Sequence, residues 1–215
     1  MSGTWGIVVA AGCGTRFGSP KQFERLAGAR LVDRSVTAAT GACDHVVVVL
    51  PPRTAWDGPA VTAVVRGGET RSDSVRSGLG AVAHDAEIIV VHDAVRALAS
   101  PQLFDAVIGA VRGGADGAVP AIPVHDTLKR VDGRHVVATV PRDDLVAVQT
   151  PQAFLGDVLR AAHAKGSDAT DDAALVEAWG GRVVVVPGDP ANVKITTPEE
   201  LRLAAALLAA RQETP

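Results

Sequence analysis

The chain contains no tyrosine, and four phenylalanines with three tryptophans bring aromatic content to only 3% of 215 residues. Binding single-stranded nucleic acid requires exposed rings on which bases stack, so nucleic acid is not an expected partner. Cysteine is equally scarce: Cys13 and Cys43 are the only two, and they show neither C-x-x-C nor zinc spacing. That excludes a disulfide scaffold and a structural zinc site, and two thiols fit a reducing cytoplasmic setting. No apolar run approaches ~20 residues, the length a spanning helix needs. Nor does a basic segment precede a long apolar one, so neither a membrane span nor an export signal is expected. Charge of one sign is missing too. A formal net charge of −3 builds no global field that draws in nucleic acid or membrane, so anion binding must come from local clusters. Two familiar glycine loops are also absent. No G-K-[ST] run closes a P-loop, and Phe17 stands where the dinucleotide fingerprint needs glycine.

What is present is apolar residue, at 47% of the chain, ample for the core of one medium α/β domain. Val-rich runs at Gly6 to Ala10, His45 to Leu50, Val61 to Val65, Glu87 to Val91, Ala118 to Ile122, Val146 to Val148 and Arg182 to Val186 read as strands. Runs such as Ile88-Ile89-Val90-Val91 do not alternate in polarity, as expected of strands buried on both faces. Amphipathic stretches lie between them, at Leu31–Thr40, Ser72–Ala83, Pro101–Val111, Val158–Ala164, Asp171–Trp179 and Pro198–Arg211. The expected architecture is a doubly wound, three-layer α/β sandwich with a mostly parallel sheet. Ligands in such folds sit beyond the carboxyl ends of the strands. One segment breaks the rhythm. Thr127 to Val131 and Arg134 to Val140 are β-prone and joined by Asp132-Gly133, a hairpin signal. A two-stranded ribbon is marginal alone, so this arm, within residues 125–143, is expected to pack on something, most simply a second subunit of a homodimer, the alternative being its own domain.

Chemistry is concentrated in a few clusters. Ala10-Ala11-Gly12-Cys13-Gly14-Thr15-Arg16 follows the first strand, with Lys21 just beyond. Glycine lets backbone N–H groups approach an anion, and Arg16 and Lys21 add two cations, a combination suited to a triphosphate. A second glycine turn, Gly67-Gly68, leads through Arg71 to Ser74; it can read a base or ribose, or simply cap a helix. Asp93 ends a buried strand beside Arg96. It is a candidate Mg²⁺ ligand, since Mg²⁺ takes one or two carboxylates plus phosphate oxygens, and Arg96 can grip a phosphate bidentately. Thr150 and Thr170 offer hydroxyls, Thr170 also as a helix N-cap, and Lys194 supplies a further cation. The six histidines show no metal spacing, and no Ser-His-Asp or paired-carboxylate arrangement is evident.

Taken in order, Ala-Ala-Gly-x-Gly-x-Arg, Pro-Lys-Gln, Gly-Gly-x-x-Arg-x-x-Ser-Val, His-Asp-Ala-x-Arg, Asp126-Thr127-x-Lys129, Thr150-Pro151-Gln152, Thr170-Asp171-Asp172 and Lys194-Ile195-Thr196 resemble the 2-C-methyl-D-erythritol 4-phosphate cytidylyltransferase family. The resemblance spans residue 5 to about residue 205. It implies a Rossmann-like nucleotidyltransferase fold and transfer of CMP from CTP to methylerythritol phosphate, with Mg²⁺ as cofactor and pyrophosphate released. By motif it implies Arg16, Lys21 and Lys194 as catalytic cations and Asp93 as metal ligand. It places Ala10, Ala11, Gly12, Gly14, Gly68 and Ser74 around the nucleotide. Arg96, Thr150, Thr170 and Lys194 fall in the methylerythritol phosphate pocket, and Thr127 and Arg142 on the arm reach a partner's site. Ala191 stands where an acid is common in the family, leaving Asp93 as the metal ligand. A cytidylyltransferase for another polyol phosphate, such as ribitol 5-phosphate, and a non-catalytic nucleotide-binding regulator are the competing readings.

Overall fold

Valine and isoleucine runs that cannot alternate in polarity need cover on both faces, and helices supply it. The computed structural model describes residues 3–12, 14, 17–164 and 168–213. From the first strand the chain runs β1 (Thr4–Val9), a 3-10 turn (Lys21–Phe23), β2 (Arg25–Leu26), β3 (Ala29–Arg30), α1 (Leu31–Thr40), β4 (His45–Leu50), β5 (Ala63–Arg66) and α2 (Arg71–Leu79). It continues with β6 (Ile88–Asp93), α3 (Pro101–Arg112), β7 (Gly117–Pro123), β8 (Leu128–Asp132), β9 (His135–Val140), β10 (Val146–Val148) and β11 (Gln152–Leu155). Then follow α4 (Gly156–Ala164), α5 (Asp172–Trp179), β12 (Val183–Pro187) and α6 (Pro198–Glu213).

The main sheet has eight strands in the order β10-β7-β11-β6-β1-β4-β5, with β12 on β7. β5, β4, β1 and β6 are parallel neighbours. β11 is antiparallel to both β6 and β7 and lies between them. This antiparallel strand is absent from the sequence expectation: Gln152–Leu155 is short and follows a proline, and only its two neighbours make it a strand. β10 takes the same edge of β7 farther along, through Val148 opposite Ala121, and Thr150–Pro151 between β10 and β11 is a cis peptide bond.

Alternate side chains sort the strands onto two cores. Val8, Val48 and Val90 face α1 and α3, where Val36, Phe104 and Val107 meet them. Ile7, Val47, Ile89 and Val91 face the other way, against Val75 and Leu79 of α2, Leu159 of α4 and Val176 of α5. Each fully buried aliphatic side chain contributes roughly 1.5–3 kcal/mol relative to exposure. A third, smaller cluster of Leu26, Leu31, Leu98, Ile195 and Ala204 seats α6 beside the 3-10 turn and its following hairpin. The three-layer sandwich is therefore as expected. No helix among the described residues is long and apolar enough to cross a membrane.

Helix ends differ in detail from expectation. α2 stops at Leu79, before Gly80, rather than reaching Ala83. α5 is capped by Asp171, whose side chain accepts from the Ala174 N–H, so Thr170 is not the N-cap. Asp171 wins because its carboxylate reaches the third residue of the helix, where the first unpaired N–H groups point. β8 and β9 pair only with each other in a separate two-stranded sheet. Their Val131, Val136 and Val137 are 58%, 62% and 56% exposed.

Candidate active site

In an open α/β sheet a crevice forms where the strand order reverses. Here that point lies between β1 and β6, from which the chain builds outward on both sides. A cavity of about 360 Å³ opens there, lined by Ala10, Ala11, Gly12, Lys21, Gly68, Arg71, Ser74, Asp93 and Lys194, among others. Arg16 lies outside the described residues. The first glycine loop is held by its neighbours: Gln22, 2% exposed, donates from Nε2 to the Gly12 carbonyl at 3.0 Å. That bond ties the short turn carrying Lys21 to the loop it serves. Gly14 has φ +67°, and a Cβ there would lie 1.9 Å from the Ser19 carbonyl oxygen. It shapes the loop and does not itself line the cavity.

The second glycine turn closes the opposite wall. A Cβ on Gly67 would lie 2.2 Å from Ala11 Cβ and 2.8 Å from Ser74 Oγ, so only glycine lets the two loops approach this closely. Thr70 then starts α2 with a reciprocal capping box to Asp73. The positive end of α2 thus faces the cavity. Ser74 is buried, and its hydroxyl donates to the Thr70 carbonyl at 3.0 Å.

Asp93 ends β6 at the cavity floor and is only 7% exposed. Lys194 Nζ lies 2.7 Å from its Oδ2 and Arg71 Nε 3.3 Å from its Oδ1. Burial alone would raise the carboxyl pKa; Arg71 and Lys194 outweigh it and hold Asp93 well below the usual carboxylate range. The residue is therefore a permanent anion. Its backbone N–H donates to Thr150 Oγ1 at 3.0 Å, and that hydroxyl also meets His92 Nδ1 at 3.2 Å. Burial lowers the His92 pKa to about 4, with the Arg96 charge adding to that and Asp93 opposing it. His92 is neutral at physiological pH.

Lys194 reaches Asp93 because its segment is pinned on both sides. Asn192, fully buried, donates from Nδ2 to the Thr150 carbonyl at 2.9 Å. The Ile195 N–H donates to the Val95 carbonyl at 3.0 Å. Glu200 then accepts the N–H groups of Thr196 and Thr197 at 2.6 and 2.8 Å, fixing the turn into α6.

A second cavity, about 210 Å³, adjoins the first and is lined by Arg96, Gln149, Thr150, Thr170 and Asp171 together with Arg71, Asp93 and Lys194. Those last three residues belong to both. Arg96 is held by carbonyls, donating to Asn192 O at 2.7 Å and Val148 O at 3.3 Å. Its charge is thus not consumed by a close carboxylate partner. Thr150 lines this second cavity, and its hydroxyl also bonds the Asp93 N–H and His92. Thr127 and Arg142 line neither cavity. Both are exposed on and beside the arm, and Arg142 donates to the His125 carbonyl. Among the described residues no group of three or more His, Cys, Asp or Glu side chains could hold a metal. A cation there would take Asp93 plus oxygens of a bound phosphate, the donor set Mg²⁺ accepts.

Three residues without an assigned role in the sequence reading belong to this site. Gln22 anchors the first loop. Arg71 stands between two carboxylates, with Nη1 2.8 Å from Asp172 Oδ2, and Asp172 Oδ1 in turn lies 2.9 Å from His163 Nε2. The only sequence signal for Arg71 was its place after the Gly-Gly turn, and for Asp172 its place beside a capping acid.

Two glycine turns bordering one cavity with Lys21, Arg71 and Lys194, at the switch point of a three-layer sheet, have the layout of a Rossmann-like nucleotidyltransferase. The match to known proteins makes this specific. The model of the 2-C-methyl-D-erythritol 4-phosphate cytidylyltransferase (IspD) family matches residues 5–210, and the chain belongs to that family. It is 47% identical over 213 residues to the 2-C-methyl-D-erythritol 4-phosphate cytidylyltransferase of Nocardia farcinica, covering 94% of this chain and 92% of the relative. Against the bifunctional enzyme IspD/IspF of Clavibacter michiganensis subsp. michiganensis it is 46% identical over 220 residues. There the match covers 94% of this chain and 54% of the relative's length. The crystal structure of 2-C-methyl-D-erythritol 4-phosphate cytidylyltransferase from Thermus thermophilus superimposes with a TM-score of 0.83 at 35% identity, covering 94% of this chain and 98% of that one.

Proposed function

We propose that this chain transfers CMP from CTP to the phosphate of 2-C-methyl-D-erythritol 4-phosphate, releasing pyrophosphate and forming 4-diphosphocytidyl-2-C-methyl-D-erythritol for isoprenoid synthesis. The observation that carries this reading is the pair of adjoining cavities that share Arg71, Asp93 and Lys194. Two anionic substrates meeting at one charged seam is the geometry that phosphate attack on a nucleotide requires. In the first cavity Ala10, Ala11, Gly12, Gly68 and Ser74 hold the nucleotide, with Gly14 shaping the loop. Lys21, Lys194 and Arg16 take the triphosphate. In the second, Arg96 takes the sugar phosphate, with Thr170 at the rim and Thr150 acting through Asp93.

The nucleophile is a phosphate monoester with a second pKa of about 6, already largely dianionic at neutral pH. No general base is needed. An oxygen of that phosphate forms a bond to the α-phosphorus of CTP as the bond from the α-phosphorus to the β-phosphate bridging oxygen breaks. The electron pair leaves with pyrophosphate. The obstacle is anion repulsion and charge growing on the phosphoryl oxygens, and fixed cations address both. Asp93 would hold Mg²⁺, which when bound neutralises phosphate charge. To hold it the carboxylate would give up its contact with Lys194, leaving that ammonium free for phosphate.

The arm at residues 125–143 makes a homodimer in this reading. Exposed Val131, Val136 and Val137 support it, as does the separation of Thr127 and Arg142 from both cavities of their own chain; a partner's cavity is where they act. Cys43 is a free, buried thiol, which suits a reducing cytoplasm.

Pyrophosphate release from CTP with Mg²⁺ tests the activity, with methylerythritol 4-phosphate and ribitol 5-phosphate as alternative acceptors and ATP, GTP and UTP as alternative donors. Turnover only with CTP and methylerythritol 4-phosphate is expected. Preference for ribitol 5-phosphate would keep the chemistry and overturn the acceptor, and silence with both would favour a non-catalytic nucleotide-binding role.

A further inference from the structure

The Asp93 carboxylate is flanked by two cations, but they do not hold it equally. Lys194 Nζ is at 2.7 Å, on a side chain that is 44% exposed and able to swing away. Arg71 keeps a longer contact of 3.3 Å because its guanidinium is drawn elsewhere, to Asp172 at 2.8 Å. Asp172 lines neither cavity. Its side chain is 1% exposed and that of its partner His163 2% exposed. Both sit under α2, at the junction of α4 and α5 with the sheet. Desolvating a carboxylate is costly, so its position beside a site arginine requires a reason. The His163 contact at 2.9 Å fixes the orientation of the Asp172 carboxylate and directs Oδ2 at Arg71.

We infer that Asp172, locked in orientation by His163, is a positioning residue that holds Arg71 off Asp93 and so keeps the Asp93 carboxylate open to the metal–nucleotide complex. The inference rests on the reading of Asp93 as the metal-holding acid. In low dielectric a guanidinium between two carboxylates is shared by them. Neutralising the deeper carboxylate hands the whole charge to the nearer one. Asp93 would then be closed by Arg71 and Lys194 together, and an incoming cation would have to displace both. With the Asp172 carboxylate engaging Arg71, only the mobile Lys194 must leave. The pair thus sets how readily the acid exchanges a protein cation for a metal, without touching either substrate.

The test is binding of Mn²⁺·CTP, without acceptor, followed by water-proton relaxation enhancement, so that no turnover enters the readout. Asp172→Asn should weaken binding by about tenfold, the scale on which contacting charges couple. In an Arg71→Gln background, whose own affinity is the reference, the competing cation is gone and Asp172→Asn should change binding by less than about threefold. A merely structural role for Asp172 predicts the same tenfold loss in that background. His163→Ala should weaken binding about threefold and His163→Gln, which keeps a donor near the Nε2 position, should restore it. The His163 variants decide the matter if Asp172→Asn does not fold. Parent-like binding by folded Asp172→Asn or by His163→Ala overturns the inference, as does a tenfold loss from Asp172→Asn in the Arg71→Gln background. Asp93→Asn separates the two levels. If it too binds like the parent, the metal-holding role of Asp93 falls and takes the inference with it; if it weakens binding while Asp172→Asn does not, only the inference falls.

Discussion

Acidification should unfold this protein through His92 in particular. The ring is fully enclosed, tilted against Phe104 with ring centroids 5.2 Å apart, and its Nδ1 shares a hydrogen bond with the Thr150 hydroxyl. Its pKa is lowered to about 4 from 6.5. The unfolded chain therefore binds a proton at His92 between pH 6.5 and about 4 while the folded chain does not. Stability rises with pH wherever the unfolded state holds more protons, so it is fully present above pH 6.5 and lost as pH falls toward 4. The slope is about 1.4 kcal/mol per pH unit for one proton, and over roughly 2.5 units the loss reaches about 3 kcal/mol. For a chain of this size that is a fall in Tm of roughly 6–12 °C. The assay is urea unfolding at pH 7.5, 6.5, 5.5 and 4.5 for the parent and His92→Asn, whose amide oxygen stands near Nδ1 and accepts from Thr150. The variant is less stable at neutral pH because it empties part of the ring's space, so slopes rather than absolute stabilities are compared. Its unfolding free energy should fall less steeply with acid, by about one proton. Equal slopes in the two proteins would refute the assignment of His92 as the acid-sensitive group. Asp93 does not contribute in this window, since its carboxyl stays ionised well below it.

Thr150→Val removes the hydroxyl that satisfies the Asp93 N–H and His92 Nδ1, and each buried group so orphaned costs about 1–3 kcal/mol. A Tm lower by roughly 4–24 °C and slower turnover are expected, with Thr150→Ser close to the parent in turnover; a parent-like valine variant in a thermal melt would show that Asp93 needs no such support. Lys21→Ala should abolish turnover in a folded protein. Mixed with Arg142→Ala it should regain about a quarter of the parent rate if each site draws on both subunits of a two-fold dimer. No recovery in verified heterodimers would confine each site to one chain.

The strands at His45–Leu50 and Val146–Val148 and the helix at Leu31–Thr40 were legible residue by residue, because hydrophobic period and turn chemistry are local. So were the elements of the first cavity: a glycine loop after a strand, a second glycine turn before a helix, and an acid ending a buried strand can each be placed from neighbours alone. The family followed from the order of those motifs. β11 was not legible, since Gln152–Leu155 has no pattern of its own and becomes a strand only by pairing with β6 and β7. The bonds that the Thr150 hydroxyl makes to Asp93 and His92 were not legible either, because nothing local says which way it points.

The amino-acid order by itself thus determined the layers of the sandwich, the two anion-binding turns and the identity of the charged residues gathered around them. Which charge meets which was decided only by the fold. Arg71, Asp93, Asp172, His163 and Lys194 are scattered over four elements and a loop, and their separations depend on how helices α2, α4 and α5 seat against the sheet. Coulomb energy varies with distance and with local burial, and a linear sequence encodes neither until the chain has packed.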